Sequence, residues 1–267
     1  MATIAALMSL KGRRALITGA AGNLGRVIAH ALAELGADLL LVDRPDAEYG
    51  HLVRDIEQEW RVKVQTLPCD LEAQDARDRL IHTVQKQEEG LDVLVNNAAF
   101  VGISGLQGWA VEFERQSVET WRRALEVNLT AAFDLSKGVA PLLKRSRGGC
   151  IINVASIYGA FGPDYTLYAG TDMGNPAAYA ASKGGLIQLT RWLATTLAPE
   201  VRVNTISPGG VFRNQPDVFV KRYEARTPLA RMATEEDFRG AIAYLASDLS
   251  RYVTGHNLAV DGGWGVW

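Results

Sequence analysis

The sequence predicts a single α/β domain, a doubly wound sheet of seven mostly parallel strands with helices on both faces. Two observations carry that expectation. Short apolar runs alternate with helix-length amphipathic stretches from one end of the chain to the other, and strand–helix–strand repetition at this spacing implies a parallel sheet covered on both sides. The chain has 267 residues and 48% hydrophobic content, enough for one large domain with a full core, and shows no internal repeat, low-complexity tract or linker.

Seven segments read as buried strands: Arg14–Thr18, Asp38–Asp43, Val62–Leu67, Leu91–Asn96, Cys150–Ala155, Val201–Ile206 and Asn257–Val260. Helical periodicity runs through Leu24–Leu35, Gln74–Gln87, Val118–Leu143, Ala177–Leu197 and Thr234–Ala246. Stretches 100–116, 157–176 and 210–230 lie outside this rhythm, and loops that long in a compact domain are commonly functional. They are expected to border the substrate.

A net charge of −2, from 28 basic and 30 acidic residues, offers no nucleic-acid surface. Cys69 and Cys150 sit in apolar strand-like runs and read as buried free thiols. Met1–Leu10 is too short to span a bilayer, and Lys11, Arg13 and Arg14 follow it, the wrong order for a signal peptide. A cytoplasmic protein with no membrane partner and no metal is expected.

Chemistry concentrates in two places. Thr18-Gly19-Ala20-Ala21-Gly22-Asn23-Leu24-Gly25 follows the first strand and opens the first helix. Its glycines permit a tight turn and close approach of a pyrophosphate to a helix N-terminus, a Rossmann-type arrangement. Asp43 ends the second strand, 18 residues beyond Gly25, where a carboxylate can bind both hydroxyls of an adenosine ribose and repel a 2′-phosphate. NAD is therefore the expected cofactor, although the Arg44 guanidinium could accept the extra phosphate of NADP. The second place is Tyr179-Ala180-Ala181-Ser182-Lys183, whose Tyr and Lys share a helix face. Bringing a phenol from a pKa of about 10 to about 7 takes roughly 4 kcal/mol. A positive charge about 4 Å away supplies that much at an effective dielectric of about 20.

With these residues in place, the chain resembles the short-chain dehydrogenase/reductase family nearly end to end, in its compact branch. Cys69-Asp70-Leu71 resembles the segment that holds the adenine ring. Asn96-Asn97-Ala98-Ala99 resembles the family's Asn-Asn-Ala-Gly, with Ala99 in place of the Gly. Pro208-Gly209-Gly210-Val211 resembles the segment that contacts the nicotinamide carboxamide, and Asp261-Gly262-Gly263 is also typical. Asn128, Ser156, Tyr179 and Lys183 match the catalytic tetrad. The resemblance implies that Ser156 hydrogen-bonds the substrate oxygen and Tyr179 exchanges its proton while hydride passes to or from nicotinamide. Lys183 would lower the Tyr pKa and hold the nicotinamide ribose, and Asn128 would anchor a water linking Lys183 to solvent. The implied cofactor contacts are Gly19, Asn23, Leu24, Gly25, Asp43, Arg44, Asp70, Leu71, Asn97, Ala98, Ala99, Tyr179, Lys183, Pro208, Gly209 and Val211. The family's pairing helices match Val118–Leu143 and Ala177–Leu197, implying a homo-oligomer, a dimer or a tetramer.

Three departures bear on function. Asn23 stands where the compact branch carries Gly, so the loop has the Gly-x-x-Gly-x-x-Gly spacing of the sugar-nucleotide-modifying branch. Ser156 and Tyr179 are 23 residues apart, longer than the compact branch has, with the extra residues in 161–175. The Thr that follows the Pro-Gly segment is replaced around Phe212-Arg213-Asn214-Gln215. Arg213 could bind an anionic or hydroxyl-rich substrate, or a cofactor phosphate. Tyr158, Phe161, Phe212 and Arg213 are the candidate substrate contacts, and aromatic faces mixed with polar groups suit a polyhydroxylated small molecule. The inserted residues could instead pack against the body or a neighbouring subunit. The combination resembles oxidoreductases of flagellin modification and nonulosonic-acid pathways. The expected activity is NAD-dependent interconversion of a secondary alcohol and a ketone on a sugar, polyol or sugar derivative. The alternatives are an NADPH-dependent β-ketoacyl-type reductase and a sugar-nucleotide epimerase or dehydratase with tightly bound NAD.

Overall fold

Strands β1 (Arg14–Thr18), β2 (Asp38–Asp43), β3 (Val64–Pro68), β4 (Val93–Asn96), β5 (Gly149–Val154), β6 (Val201–Pro208) and β7 (Asn257–Val260) form one sheet. The computed structural model describes residues 1–87, 90–100 and 106–267. The strand order is β3-β2-β1-β4-β5-β6-β7, and every adjacent pair is parallel. The order reverses between β1 and β4, which opens a crevice at the carboxyl ends of the strands.

Each central strand is apolar on both sides because each side meets a helical layer. Ala15, Ile17, Leu39, Leu41, Val93, Val95, Cys150 and Ile152 face one core. That core is completed by α2 (Asn23–Glu34), α3 (Leu52–Trp60) and α9 (Arg239–Ala246). The alternate residues Leu16, Leu40, Val42, Leu94 and Ile151 face the other, with α4 (Gln74–Gln85), α6 (Ala131–Arg145) and α7 (Ala177–Leu197). Each fully buried Leu, Ile or Val contributes about 1.5–3 kcal/mol. Both cysteines are buried and free. Pro68 ends the edge strand, where a missing N–H is tolerated.

The structure departs from the expected elements where apolar content is low or the helix changes pitch. The short α1 (Ile4–Met8) and α3 are additional helices. So is α8 (Asp217–Arg226), inside the 210–230 stretch expected to be loop. It buries only Phe219 and Tyr223, too few apolar positions to show a periodic face. The expected helix Val118–Leu143 is α5 (Val118–Leu125), a π-turn over Glu126–Thr130, and then α6. The expected Thr234 helix begins as a 3₁₀ turn, Glu235–Phe238, fixed by a capping box between Thr234 and Asp237. Part of the 100–116 loop, 101–105, lies outside the described residues. Among the described residues, no helix is long and apolar enough to cross a membrane.

Candidate active site

The Gly-rich turn is held by the ends of its neighbouring strands. Gly19 has φ +65°, a left-handed conformation that glycine adopts without strain. A Cβ on Gly25 would lie 2.0 Å from the Gly19 carbonyl oxygen, so the turn closes only around glycine. Asn97 Nδ2 donates to the carbonyls of Thr18 (2.9 Å) and Gly19 (3.1 Å). The backbone N–H groups of Asn97 and Ala98 both donate to Thr18 Oγ1 at 3.0 Å. Arg26 donates through Nε to the Ala21 carbonyl at 2.8 Å, and through its two Nη atoms to those of Tyr49 and Glu48. Thr18 and Arg26 were missed in the sequence; the only signal was their position flanking the glycines.

This end of the cleft fits a dinucleotide. Gly22 caps α2 with no side chain, so the first-turn N–H groups keep their capacity for phosphate oxygens. Asp43, at the end of β2, accepts from the N–H groups of Ala21 and Arg44, each at 2.8 Å. A carboxylate has about four acceptor sites, which leaves capacity for ribose hydroxyls. Arg44 stands beside it, exposed and 3.4 Å from Asp46. A cleft of about 880 Å³ runs from here past Asp70, Leu71, Asn97, Ala98 and Ala99 to Ser156, Tyr179, Lys183, Pro208, Gly209 and Val211. Every residue expected to touch the cofactor lines it, including Asn23 and Leu24.

Ser156 and Tyr179 meet at the far end. Ser156 follows β5 and accepts from the Tyr158 N–H at 3.2 Å, starting a 3₁₀ turn. Tyr179 sits in the first turn of α7, which Pro176 begins. Burial pushes its phenol above the ordinary value, while a hydrogen bond with Ser156 and the charge of Arg213 pull it down. The Tyr–Lys spacing predicts that Lys183 lowers this pKa. Lys183 Nζ lies 5.7 Å from the Tyr179 ring centroid and donates to the Val154 carbonyl at 2.7 Å. Lys183 is itself buried, which lowers its pKa to about 8.

Asn128 lies in the π-turn rather than on the cleft wall, and both ends of its amide are engaged. Nδ2 donates to Ser182 Oγ at 2.9 Å, and Oδ1 accepts from the Phe100 N–H at 2.5 Å. Ser182 Oγ donates to the Tyr179 carbonyl at 2.8 Å, so Asn128 braces the turn that presents the phenol. A second buried chain ties α7 to the sheet. Asn96 donates to Asn153, Asn153 donates to Thr190, and Thr205 donates to Thr190, at 2.8, 2.8 and 2.7 Å. Of these only Asn96 and Asn153 lie in motif segments singled out in the sequence, and neither was given this role.

Of the four expected substrate contacts, only Arg213 lines the cleft. Tyr158 turns its hydroxyl to Tyr168, 2.6 Å away, and Phe161 packs against Trp264 with ring centroids 6.0 Å apart. Phe212 is exposed. The inserted residues pack against the body: Leu167 and Tyr168 join Phe219, Tyr223, Met232 and Trp264 in a separate apolar cluster. Arg226 seals it, 2.6 Å from Asp164 and 4.5 Å above the Trp264 ring.

Comparison with known proteins agrees with this geometry. A family model described as enoyl-(acyl carrier protein) reductase matches residues 19–265. The chain is 28% identical to post-translational flagellin modification protein A of Campylobacter coli, over 96% of this chain and 100% of that one. It is 32% identical to a 3-oxoacyl-(acyl-carrier-protein) reductase of Thermotoga maritima, over 96% of this chain and 99% of the other. A solved gluconate 5-dehydrogenase from Burkholderia cenocepacia, in complex with NADP and tartrate, superposes with a TM-score of 0.86 at 26% identity, covering 99% and 100% of the two chains. A nucleotide cleft that ends at a serine and a tyrosine, together with these matches, makes the chain a member of the short-chain dehydrogenase/reductase family and an NAD(P)-dependent oxidoreductase.

Proposed function

We propose that the chain interconverts a secondary alcohol and a ketone on a sugar, polyol or sugar derivative, with NAD preferred over NADP. The observation that carries the reading is the presence of Ser156 and Tyr179 together on the wall of a cleft that begins at a Gly-rich turn. Ser156 holds the substrate oxygen and stabilises its developing charge. Tyr179 takes the hydroxyl proton as phenolate during oxidation and gives it back as phenol during reduction. Bound NAD supplies the hydride acceptor. Lys183 places a positive charge beneath the site, and Asn128 is a positioning residue acting through Ser182. The NAD preference rests on Asp43, whose charge faces the ribose position and disfavours a 2′-phosphate. Exposed Trp121, Phe133 and Trp192, on α5, α6 and α7, support a homo-oligomer.

A second reading has a specific observation behind it: the 32% identical relative reduces 3-oxoacyl thioesters by name, and the gluconate 5-dehydrogenase holds NADP. One experiment separates the two. Nicotinamide absorbance is followed with NAD or NADP against a panel of polyols, sugars and sugar acids, and with NADPH against acetoacetyl thioesters. NAD-linked oxidation of the panel supports the first reading; NADPH-linked thioester reduction alone replaces it with the second.

A further inference from the structure

Strand order sorts the charges that line the cleft. Asp43 ends β2 and Glu48 follows it, and Asp70 and Glu72 follow β3, so all four acidic walls come from one side of β1. Arg123, also on the wall, is engaged by Glu72 at 2.7 Å. On the β5–β6 side, where Ser156 and Tyr179 meet, the charged walls among the described residues are Lys183 and Arg213. Lys183 is enclosed and directed at the Val154 carbonyl. Arg213 is the cation that a ligand at the reacting end can reach, and its field already acts on the Tyr179 phenol.

Arg213 is held in place with part of its fork free. Nε and Nη2 each lie 3.1 Å from Glu235 Oε1, which fixes one edge. Nη1 has no protein partner among the described residues, so it and the second N–H of Nη2 form an end-on pair of donors. The turn beneath is braced as well. Gln215 Oε1 accepts from the Arg213 N–H at 2.7 Å, Gln215 Nε2 donates to the Val211 carbonyl at 2.8 Å, and the Phe212 N–H donates to the Ala233 carbonyl at 2.8 Å. Asp164 of the insertion is committed to Arg226.

We propose that the substrate carries a carboxylate and that Arg213 binds it while the alcohol or ketone meets Ser156 and Tyr179. The substrate class is a hydroxy acid and its keto acid, and the inference rests on the dehydrogenase reading above. In oxidation the carbinol carbon gives its hydride to the nicotinamide, the hydroxyl proton passes to Tyr179, and the carboxylate is unchanged. A guanidinium with two parallel donors suits a planar carboxylate. Among the described residues no carboxylate lines this end of the cleft, and Glu235 meets Arg213 on another edge of its fork. A cofactor phosphate has the same anionic chemistry, so the test must separate the two sources.

The test is calorimetric titration of the protein–NADH complex with two matched pairs, D-gluconate against sorbitol and trans-4-hydroxycyclohexanecarboxylate against cyclohexanol. At least one acid should bind about tenfold or more tighter than its neutral partner, the scale of a charge-assisted hydrogen bond. Arg213→Ala should abolish that preference and Arg213→Lys should keep part of it, with NADH affinity changed by less than about threefold, under 0.7 kcal/mol or so. Unchanged melting temperatures exclude misfolding, and the Lys variant keeps the test valid if the Ala variant fails to fold. Equal binding of acid and neutral partners, no binding of either acid, or an Arg213→Ala loss that falls on NADH would overturn the proposal. The dehydrogenase reading fails separately: acid binding with no turnover of any substrate would remove that reading and leave the anion site.

Discussion

At the glycine end of the cleft the turn offers main chain. Thr18 and Asn97 spend their side chains fixing the backbone of the turn, Asp43 does so in part, and the N–H groups at the start of α2 are left without a side-chain cap. At the serine–tyrosine end the walls are side chains. They are set by a π-turn, a 3₁₀ turn and an insertion packed on α8. Main-chain recognition demands glycines and short polar residues at fixed spacing, so it leaves a motif. Side-chain recognition tolerates many solutions, so one end shows its ligand class plainly and the other shows it through charge and burial.

The largest structural effect is expected where the two ends are joined. Arg77 is fully enclosed, and its guanidinium binds the Leu71 carbonyl and the carboxylate of Glu126, both at 2.6 Å, with Asp134 at 3.0 Å. It thus connects the segment after β3 to the π-turn that carries Asn128. Removing one partner of such a pair strands the others, so Arg77→Ala should cost about 3 kcal/mol in denaturant unfolding. A loss below about 1 kcal/mol, the value of a surface pair, would show that the ends are independent.

Lys183 tests the opposite expectation, that the reacting end is held at a cost to stability. Its pKa is lowered to about 8 in the folded protein against about 10.5 when exposed, so protonation favours unfolding. The penalty is complete below the folded value, shrinks as pH rises and vanishes above the unfolded value. Lys183→Met should inactivate the protein yet stabilise it by about 1–2 kcal/mol at neutral pH, once the bond to Val154 is discounted. The gain should disappear by about pH 10.5. Chemical denaturation across that range checks it; a pH-independent gain would mean packing, not charge burial.

Smaller effects should separate the two ends. Asp43→Ala should weaken NAD about tenfold, the scale of a charge-assisted hydrogen bond, and NADP less, as read by fluorescence titration. Equal losses would show that Asp43 serves only the turn, through Ala21 and Arg44. Arg226→Ala should loosen the insertion, lowering stability by about 1 kcal/mol, with substrate KM affected more than NAD affinity. A change confined to NAD affinity would dissolve the distinction between the two ends.

The alternation of strands and helices, the buried thiols and the Gly-rich turn were legible because alternating apolar runs and glycine spacing encode backbone geometry directly. Helix α7 was read to the residue, since Pro176 starts it and its apolar run is long. Helix α8 and the π-turn were not, because two buried residues make no period and a π-turn adds one residue without changing composition. Tyr158, Phe161 and Phe212 were expected beside substrate because they follow the right strands. In the structure the Tyr158 hydroxyl pairs with Tyr168 and Phe161, still exposed, packs on Trp264, contacts that only tertiary structure shows. Asn128 was found by resemblance, but its link through Ser182 to Tyr179 joins residues far apart in sequence.

The most direct test of the account is turnover and cofactor affinity measured together for wild type and Tyr179→Phe, using a panel substrate that the wild type oxidises. The phenol's hydroxyl moves the proton and contributes little to cofactor binding, so turnover should fall about a thousandfold or more while NAD affinity stays within about twofold. A Phe variant that retains turnover within about tenfold of wild type would contradict the assignment of Tyr179 as the proton carrier.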